Sequence, residues 1–323
     1  MRVYILGAGA MGTMYGTTLL KGGHDVIFLD SWQPLIDNMK ANPIAKRKLE
    51  DGTVEEVPVK VVPMSEAPNE PGDFIIVTVK SSMTKDVMDL VKPRGIIGPN
   101  TLIMTFQGGF ENPEIIANHM DVKSNCLPAF TTSYCKAVGM MSIENFGIKR
   151  STMWPMGLDT NAKPPEHAVK IVDELNKAGC HFELTPEAIT DRWKLLVYYP
   201  TNIAVSSILG LNFGTCWETP ECRELLTNLA KECALIAKLD GVDQKFFNEE
   251  IAIQSVRDIA VEGGSPTHAG SMLQDIRNKR VTEIDGTNGA LLRRAAVHKI
   301  DLPYTRAVWA LVRSREQNYG KEV

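Results

Sequence analysis

A short apolar run, Arg2-Val3-Tyr4-Ile5-Leu6, breaks into Gly7-Ala8-Gly9-Ala10-Met11-Gly12. Residues Met14 to Lys21 then have helical character and stop at Gly22-Gly23, and a second apolar run, Val26 to Leu29, ends on Asp30. Few folds accept three glycines at G-x-G-x-x-G spacing between a strand and a helix. Gly7 makes a tight turn, Gly9 leaves the backbone open to close approach, and Gly12 lets the helix pack hard on the strand. The helix N-terminus behind them offers free N–H groups and the positive end of its dipole. The spacing therefore predicts a dinucleotide-binding βαβ unit, with Gly7, Ala8, Gly9, Ala10, Met11 and Gly12 against the pyrophosphate.

Asp30 sits where a carboxylate accepts hydrogen bonds from ribose hydroxyls. A 2′-phosphate there meets like charge, and Ser31-Trp32-Gln33 supplies no arginine to receive it, so Asp30 favours NAD over NADP. The competing reading of Asp30 is a cap for a helix starting near Trp32.

The following segments alternate. Lys48 to Val62, around Asp51-Gly52, reads as a small hairpin; 73–79 is a buried strand ending at Lys80; Met83 to Val91 is helical; Thr101 to Phe106 is a strand ending at Gln107-Gly108-Gly109; and Pro113 to Met120 is helical. Cys126 to Leu158 is β-rich and Glu166 to Ala178 is an amphipathic helix. From Pro186 strand signals nearly vanish, and six helical segments follow, the first over Pro186–Leu209. The fold class is α/β: an N-terminal Rossmann dinucleotide-binding domain over 1–184 and a C-terminal all-helical domain over 185–323. A length of 323 residues suits two cores. Ligands of such sheets bind beyond the carboxyl ends of the strands, so Lys80, Gln107 and Gly108 are expected to edge the cofactor.

Composition narrows the partners. A net charge of −4 without a basic run gives no electrostatic argument for nucleic acid. No apolar stretch reaches the ~20 residues that span a bilayer. The apolar N-terminal run is too short for a signal peptide, and the six cysteines show no CxxC pair, which points to reduced thiols and a cytoplasmic location. The six histidines lack metal-ligand spacing, so no metal is expected. The apolar helices from Trp217 onward either fill the core or bury the face of a homodimer.

In the helical half, Lys194, Tyr198 and a position near Asn202 share one face at i, i+4 and i+8, with Pro200 placed to kink the helix. Together with GAGAMG at 7–12, VTVK at 77–80, RWK at 192–194 and SMLQD…TEID at 271–285, this segment resembles the ketopantoate reductase family over nearly the whole chain. Members of that family are two-domain NAD(P)H-dependent 2-oxoacid reductases. By position, the resemblance implies Lys194 as the catalytic lysine, Glu283 as the active-site glutamate, Ser271 as the contact for the substrate carboxylate, Lys80 as the cofactor-side lysine and Asn202 as the second asparagine of the lysine helix.

Three departures stand out. Gly108-Gly109 replaces the family's usual Asn-Gly, Tyr198 replaces the first asparagine of the lysine helix, and Asp30 stands where NADP-using members carry a basic residue. Leu29-Asp30-Ser31-Trp32 is similar to a branch of NAD-dependent D-2-hydroxyacid dehydrogenases, including those acting on mandelate and branched-chain hydroxy acids, and Tyr198 suits an apolar substrate side chain. The resemblance thus implies reduction of a small-molecule 2-oxoacid to a D-2-hydroxyacid. The alternatives are authentic 2-dehydropantoate 2-reduction in pantothenate biosynthesis, a cofactor-binding protein with little catalysis, and an oxidoreductase acting on another carbonyl or an imine. Retention of both Lys194 and Glu283 argues for chemistry.

Overall fold

The computed structural model describes residues 1–321. Strand β1 (Arg2–Leu6) is buried on both faces because its side chains alternate between two cores. Val3 and Ile5 join one with Met14, Tyr15 and Phe28, while Tyr4 and Leu6 join the other with Ile27, Ile75 and Met88.

The elements of the first unit are α1 (Ala10–Lys21), β2 (Asp25–Asp30), α2 (Gln33–Ala41), β3 (Ile44–Lys48), β4 (Val54–Pro58), β5 (Lys60–Pro63), β6 (Phe74–Val77), α3 (Thr84–Val91), β7 (Leu102–Thr105), α4 (Asn112–Ala117), β8 (Cys126–Thr131), β9 (Cys135–Gly139), β10 (Ser142–Asn145), β11 (Ser151–Met153), α5 (Glu166–Lys177) and β12 (Phe182–Leu184). Eight strands form one sheet in the order β12-β11-β8-β7-β6-β1-β2-β5. β1 pairs in parallel with β2 on one side and β6 on the other, so the strand order reverses beside the glycine turn. The hairpin expected around Asp51-Gly52 is β3–β4. It belongs to a second sheet, β4-β3-β10-β9, in which β10 runs parallel to β3 with Ser142 opposite Lys46.

The helical unit contains α6 (Glu187–Tyr198), α7 (Ala204–Leu209), α8 (Phe213–Glu218), α9 (Pro220–Leu239), α10 (Glu249–Ala260), α11 (Ser271–Arg277), α12 (Asn288–His298) and α13 (Pro303–Glu316). The single helix expected over Pro186–Leu209 is interrupted by a π-helical turn, Tyr199–Ile203, where Pro200 supplies no N–H. Leu226, Leu229, Cys233 and Ile236 of α9 are fully buried, so its apolar stripe fills the core.

The sequence boundary after 184 shifts. The first unit comprises Met1–Gln107 and Asn112–Ala188, and the four residues Gly108–Glu111 group with the chain from Ile189 onward. The reason is packing: Phe110 lies edge-on to Trp193 within the helical core, and Ala188, 1% exposed, bonds back to Thr185. All six cysteines are buried and none is joined in a disulfide. Among the described residues, no helix is long and apolar enough to cross a membrane.

Candidate active site

The glycine turn is held from below. Gly7 has φ +102°, a left-handed conformation, and a Cβ there would lie 2.9 Å from the Val79 backbone nitrogen. Gly12 is fixed by close approach: its Cβ would fall 2.1 Å from the Gly7 carbonyl oxygen and 2.9 Å from the Ile5 side chain. Around Gly9 there is open space instead, with nothing within 4 Å of a Cβ position. The N–H groups of Gly9, Ala10 and Met11 make no hydrogen bond among the described residues, as expected for the first turn of α1. Helix α1 starts at Ala10, earlier than the periodicity suggests, so these donors stand at its N-terminus.

The Asp30 side chain is tied to the backbone through both oxygens, and α2 starts without a side-chain cap. Its Oδ2 accepts from the Ala8 N–H at 2.7 Å, and its Oδ1 accepts from the Trp32 N–H at 2.9 Å at the entry to α2. A carboxylate has about four lone-pair sites, so two remain for a ligand. The turn opens on a cavity of about 490 Å³, lined by Ala8, Gly9, Asp30, Trp32, Met140 and Ile143 among others. Among the described residues, Asp30 is the only charged one lining it. The β9–β10 hairpin supplies the far wall, a contribution that sequence patterning did not indicate. Open backbone donors, a carboxylate and apolar walls fit a dinucleotide.

Lys80 is exposed just past β6; its carbonyl accepts from the Met83 N–H, and its side chain makes no hydrogen bond or ion pair among the described residues. Gln107, expected against the cofactor, is buried, and its side chain is engaged within the first unit. Its Nε2 donates to the Val79 carbonyl at 2.6 Å and to Thr84 Oγ1 at 2.8 Å, while its Oε1 accepts from Thr105 Oγ1. It ties two strand ends together.

In the helical unit, α6 exposes Lys194 while burying its neighbours Arg192 and Trp193. The Arg192 guanidinium donates to the Gly109 carbonyl, and Trp193 stacks on Phe247. No hydrogen bond or ion pair engages Lys194 among the described residues, and none joins it to Glu283. Tyr198 is half-buried, with its ring edge-on to Phe213, and burial pushes its phenol pKa well above the ordinary value.

Asn202 does not share the exposed face. It is 1% exposed, with Nδ2 donating to the Val256 carbonyl and Oδ1 accepting from Thr201. The π turn inserts an extra residue, so i+8 no longer stacks over Lys194. Asn202 therefore secures the turn from inside. Asn288, which the sequence reading passed over, does the same by donating to the Pro200 carbonyl at 3.3 Å. A buried amide at a proline-interrupted helix is the signal that would have found it.

Ser271 is the exposed first residue of α11. The preceding Gly270 lies so close to the π turn that a Cβ would be 2.7 Å from the Ile203 side chain. Glu283 is exposed in the turn before α12. That turn is anchored on both sides: Thr282 donates its N–H and hydroxyl to Glu316 Oε1, each at 2.6 Å, and Trp309 donates to Asp285. Gly108, expected against the cofactor, belongs to the helical unit and lies against Tyr199.

A reversal of strand order beside a glycine turn is the arrangement of a dinucleotide-binding parallel sheet. The family model for ketopantoate reductase PanE/ApbA matches residues 3–156, and the model for its C-terminal part matches 187–316. The chain belongs to the ketopantoate reductase family, and is accordingly an oxidoreductase acting on a CH–OH group. It is 28% identical over 320 residues to 2-dehydropantoate 2-reductase of Streptococcus pyogenes serotype M18, covering 98% of each chain. It is 26% identical over 322 residues to the 2-dehydropantoate 2-reductase of Pyrococcus horikoshii, covering 99% of each. In fold it is similar to D-mandelate dehydrogenase solved with NADH and anilino(oxo)acetate, at a TM-score of 0.83, 22% identity and coverage of 99% of this chain and 100% of that one. A structure from Enterococcus faecalis described as a 2-dehydropantoate 2-reductase gives a TM-score of 0.82 at 23% identity, covering 99% of each chain.

Proposed function

We propose that this protein is an NADH-dependent reductase of a 2-oxoacid, yielding a D-2-hydroxyacid, with Lys194 as proton donor. The observation that carries the reading is an exposed ammonium on α6 that no carboxylate of the described chain neutralises, on the unit that also exposes Ser271 and Glu283. A lysine in that state is available to a developing negative charge.

Gly7 to Gly12 and Asp30 hold the dinucleotide, with Lys80 and the strand end at Gln107, of the same unit, toward its reacting side. When bound, the nicotinamide supplies the hydride to C2 of the oxoacid. Lys194 stabilises the charge that forms on the keto oxygen and gives that oxygen its proton, so the alkoxide becomes the hydroxyl. Glu283 passes a proton from solvent to restore the ammonium. Ser271 donates a hydrogen bond to the substrate carboxylate, and Tyr198 offers an apolar wall to the side chain. Asn202 stays out of this set, since its amide is committed to the core. That Asp30 is the only charged residue among the described ones lining the cavity supports NADH over NADPH.

The names of the curated relatives favour a second reading, reduction of 2-dehydropantoate itself. One kinetic panel separates the two: ketopantoate, branched-chain and aromatic 2-oxoacids, each with NADH and NADPH. We expect the highest kcat/KM for a branched-chain or aromatic 2-oxoacid with NADH, and a D-configured product on a chiral column. Preference for ketopantoate with NADPH overturns the proposal in favour of the second reading. The enzyme is expected to act in the cytoplasm, and light scattering tests self-association, for which α9 and α13 leave Leu235, Leu239 and Leu311 exposed.

A further inference from the structure

Gly108 and Tyr199 fit each other in a way the proposed reaction has not used. A Cβ on Gly108 would lie 2.9 Å from both the ring Cζ and the hydroxyl oxygen of Tyr199. Any side chain at 108 therefore collides with the phenol, although Gly108 is not among the glycines with positive φ. The glycine is explained by the neighbour and not by the turn.

The phenol itself is half-buried at the start of the π turn that follows α6. Its hydroxyl has no hydrogen-bond partner among the described residues. The hydroxyl is not one of the buried unpartnered atoms of the described residues, so it is open to solvent and can take a ligand as partner. π turns are frequent at functional sites because they spend regular helix geometry to aim a side chain. Two charged groups of the helical unit act on it: the Glu283 carboxylate and the Arg192 guanidinium. Glu283 is one of the groups assigned above to proton transfer, and Arg192 holds the Gly109 carbonyl next to Gly108.

We propose that the Tyr199 hydroxyl is a substrate-binding group that donates a hydrogen bond to an oxygen of the 2-oxoacid, and that position 108 is glycine in order to seat it. The inference rests on the 2-oxoacid reading given above and adds a recognition residue to it. Burial first, and the Glu283 carboxylate second, push the phenol pKa up to about 12, against the opposing pull of Arg192. Tyr199 is thus a neutral donor at any ordinary working pH. Tyr198, its neighbour in the chain, keeps the separate role of an apolar wall, with its ring against Phe213.

The test is Tyr199→Phe, which keeps the ring and removes the hydroxyl. It is measured on whichever of ketopantoate, 2-oxoisovalerate and phenylglyoxylate the parent chain reduces best. We expect kcat/KM to fall about 10- to 100-fold, mainly through KM, as for a lost hydrogen bond to a charged or polarised oxygen. The NADH Kd should stay within twofold and Tm within about 2 °C. Gly108→Ala, which leaves the hydroxyl in the chain but drives the ring from its seat, should raise KM similarly. The double variant should be no worse than the poorer single one, because both remove the same contact. A Tyr199→Phe enzyme with kcat/KM within twofold of the parent overturns the proposal and leaves the 2-oxoacid reading standing. If Tyr199→Phe fails to fold, Gly108→Ala decides, and an unchanged KM there also overturns it. A parent chain that reduces none of the three acids removes the functional reading, and this inference with it.

Discussion

The glycine turn and the lysine helix are built in opposite ways. At the turn the site is backbone: Gly7 and Gly12 are pinned by atoms 2 to 3 Å from where a Cβ would stand, and Asp30 fixes the Ala8 N–H. At the helix it is side chains left without partners: among the described residues the Lys194 ammonium and the Tyr199 hydroxyl have none, while Arg192, Asn202 and Asn288 are engaged nearby in the chain's core. A binding site made of backbone must be rigid to be specific. A reacting group must be unneutralised to act, and the engaged residues around it keep the frame still.

The comparison breaks most visibly at Gly12. Gly12→Ala places a methyl 2.1 Å from the Gly7 carbonyl oxygen, so the turn must open. We expect NADH affinity to fall by more than about 100-fold and Tm to drop by roughly 2–10 °C, the range for an overpacked core site. Fluorescence titration and calorimetry read both; an unchanged Kd would mean the turn does not hold the nucleotide. Asp30→Ala is milder. It should weaken NADH about 10- to 100-fold while leaving NADPH nearly as it was, narrowing the preference between them.

The smallest effect lies at Glu111. Glu111 accepts from Arg293 at 2.6 and 2.8 Å, and these bonds hold its carboxyl pKa below the usual 4.5. A depressed folded pKa means the pair stabilises the protein above about pH 4.5, and that contribution disappears as pH falls through the folded value. Glu111→Gln should therefore lower Tm at pH 7 by only about 1–2 °C, since both side chains are a third or more exposed, and the difference should vanish in acid.

These regions also differ in how far the sequence discloses them. The spacing of Gly7, Gly9 and Gly12 is local, and Gly7 takes the left-handed turn and Gly12 the close approach that the spacing predicts. Asn202 was misplaced because periodicity assumes an unbroken α-helix, and a π turn at Pro200 rotates it inward. Gln107 stands at a strand end, as expected, but its partners Val79 and Thr84 come from a separate strand and helix. The β9–β10 wall of the cavity depends on pairing Ser142 with Lys46, nearly a hundred residues apart, which no window along the chain contains. Tyr199 went unread because its meaning depends on what Gly108 lacks.

One measurement tests the division between the two regions directly: NADH binding and single-turnover NADH oxidation by Lys194→Ala, using the best 2-oxoacid. Binding should be unchanged within about twofold, while the oxidation rate falls by roughly 10²–10⁴-fold, the usual loss for a general acid. Full-rate oxidation by Lys194→Ala would contradict the assignment of the chemistry to that lysine.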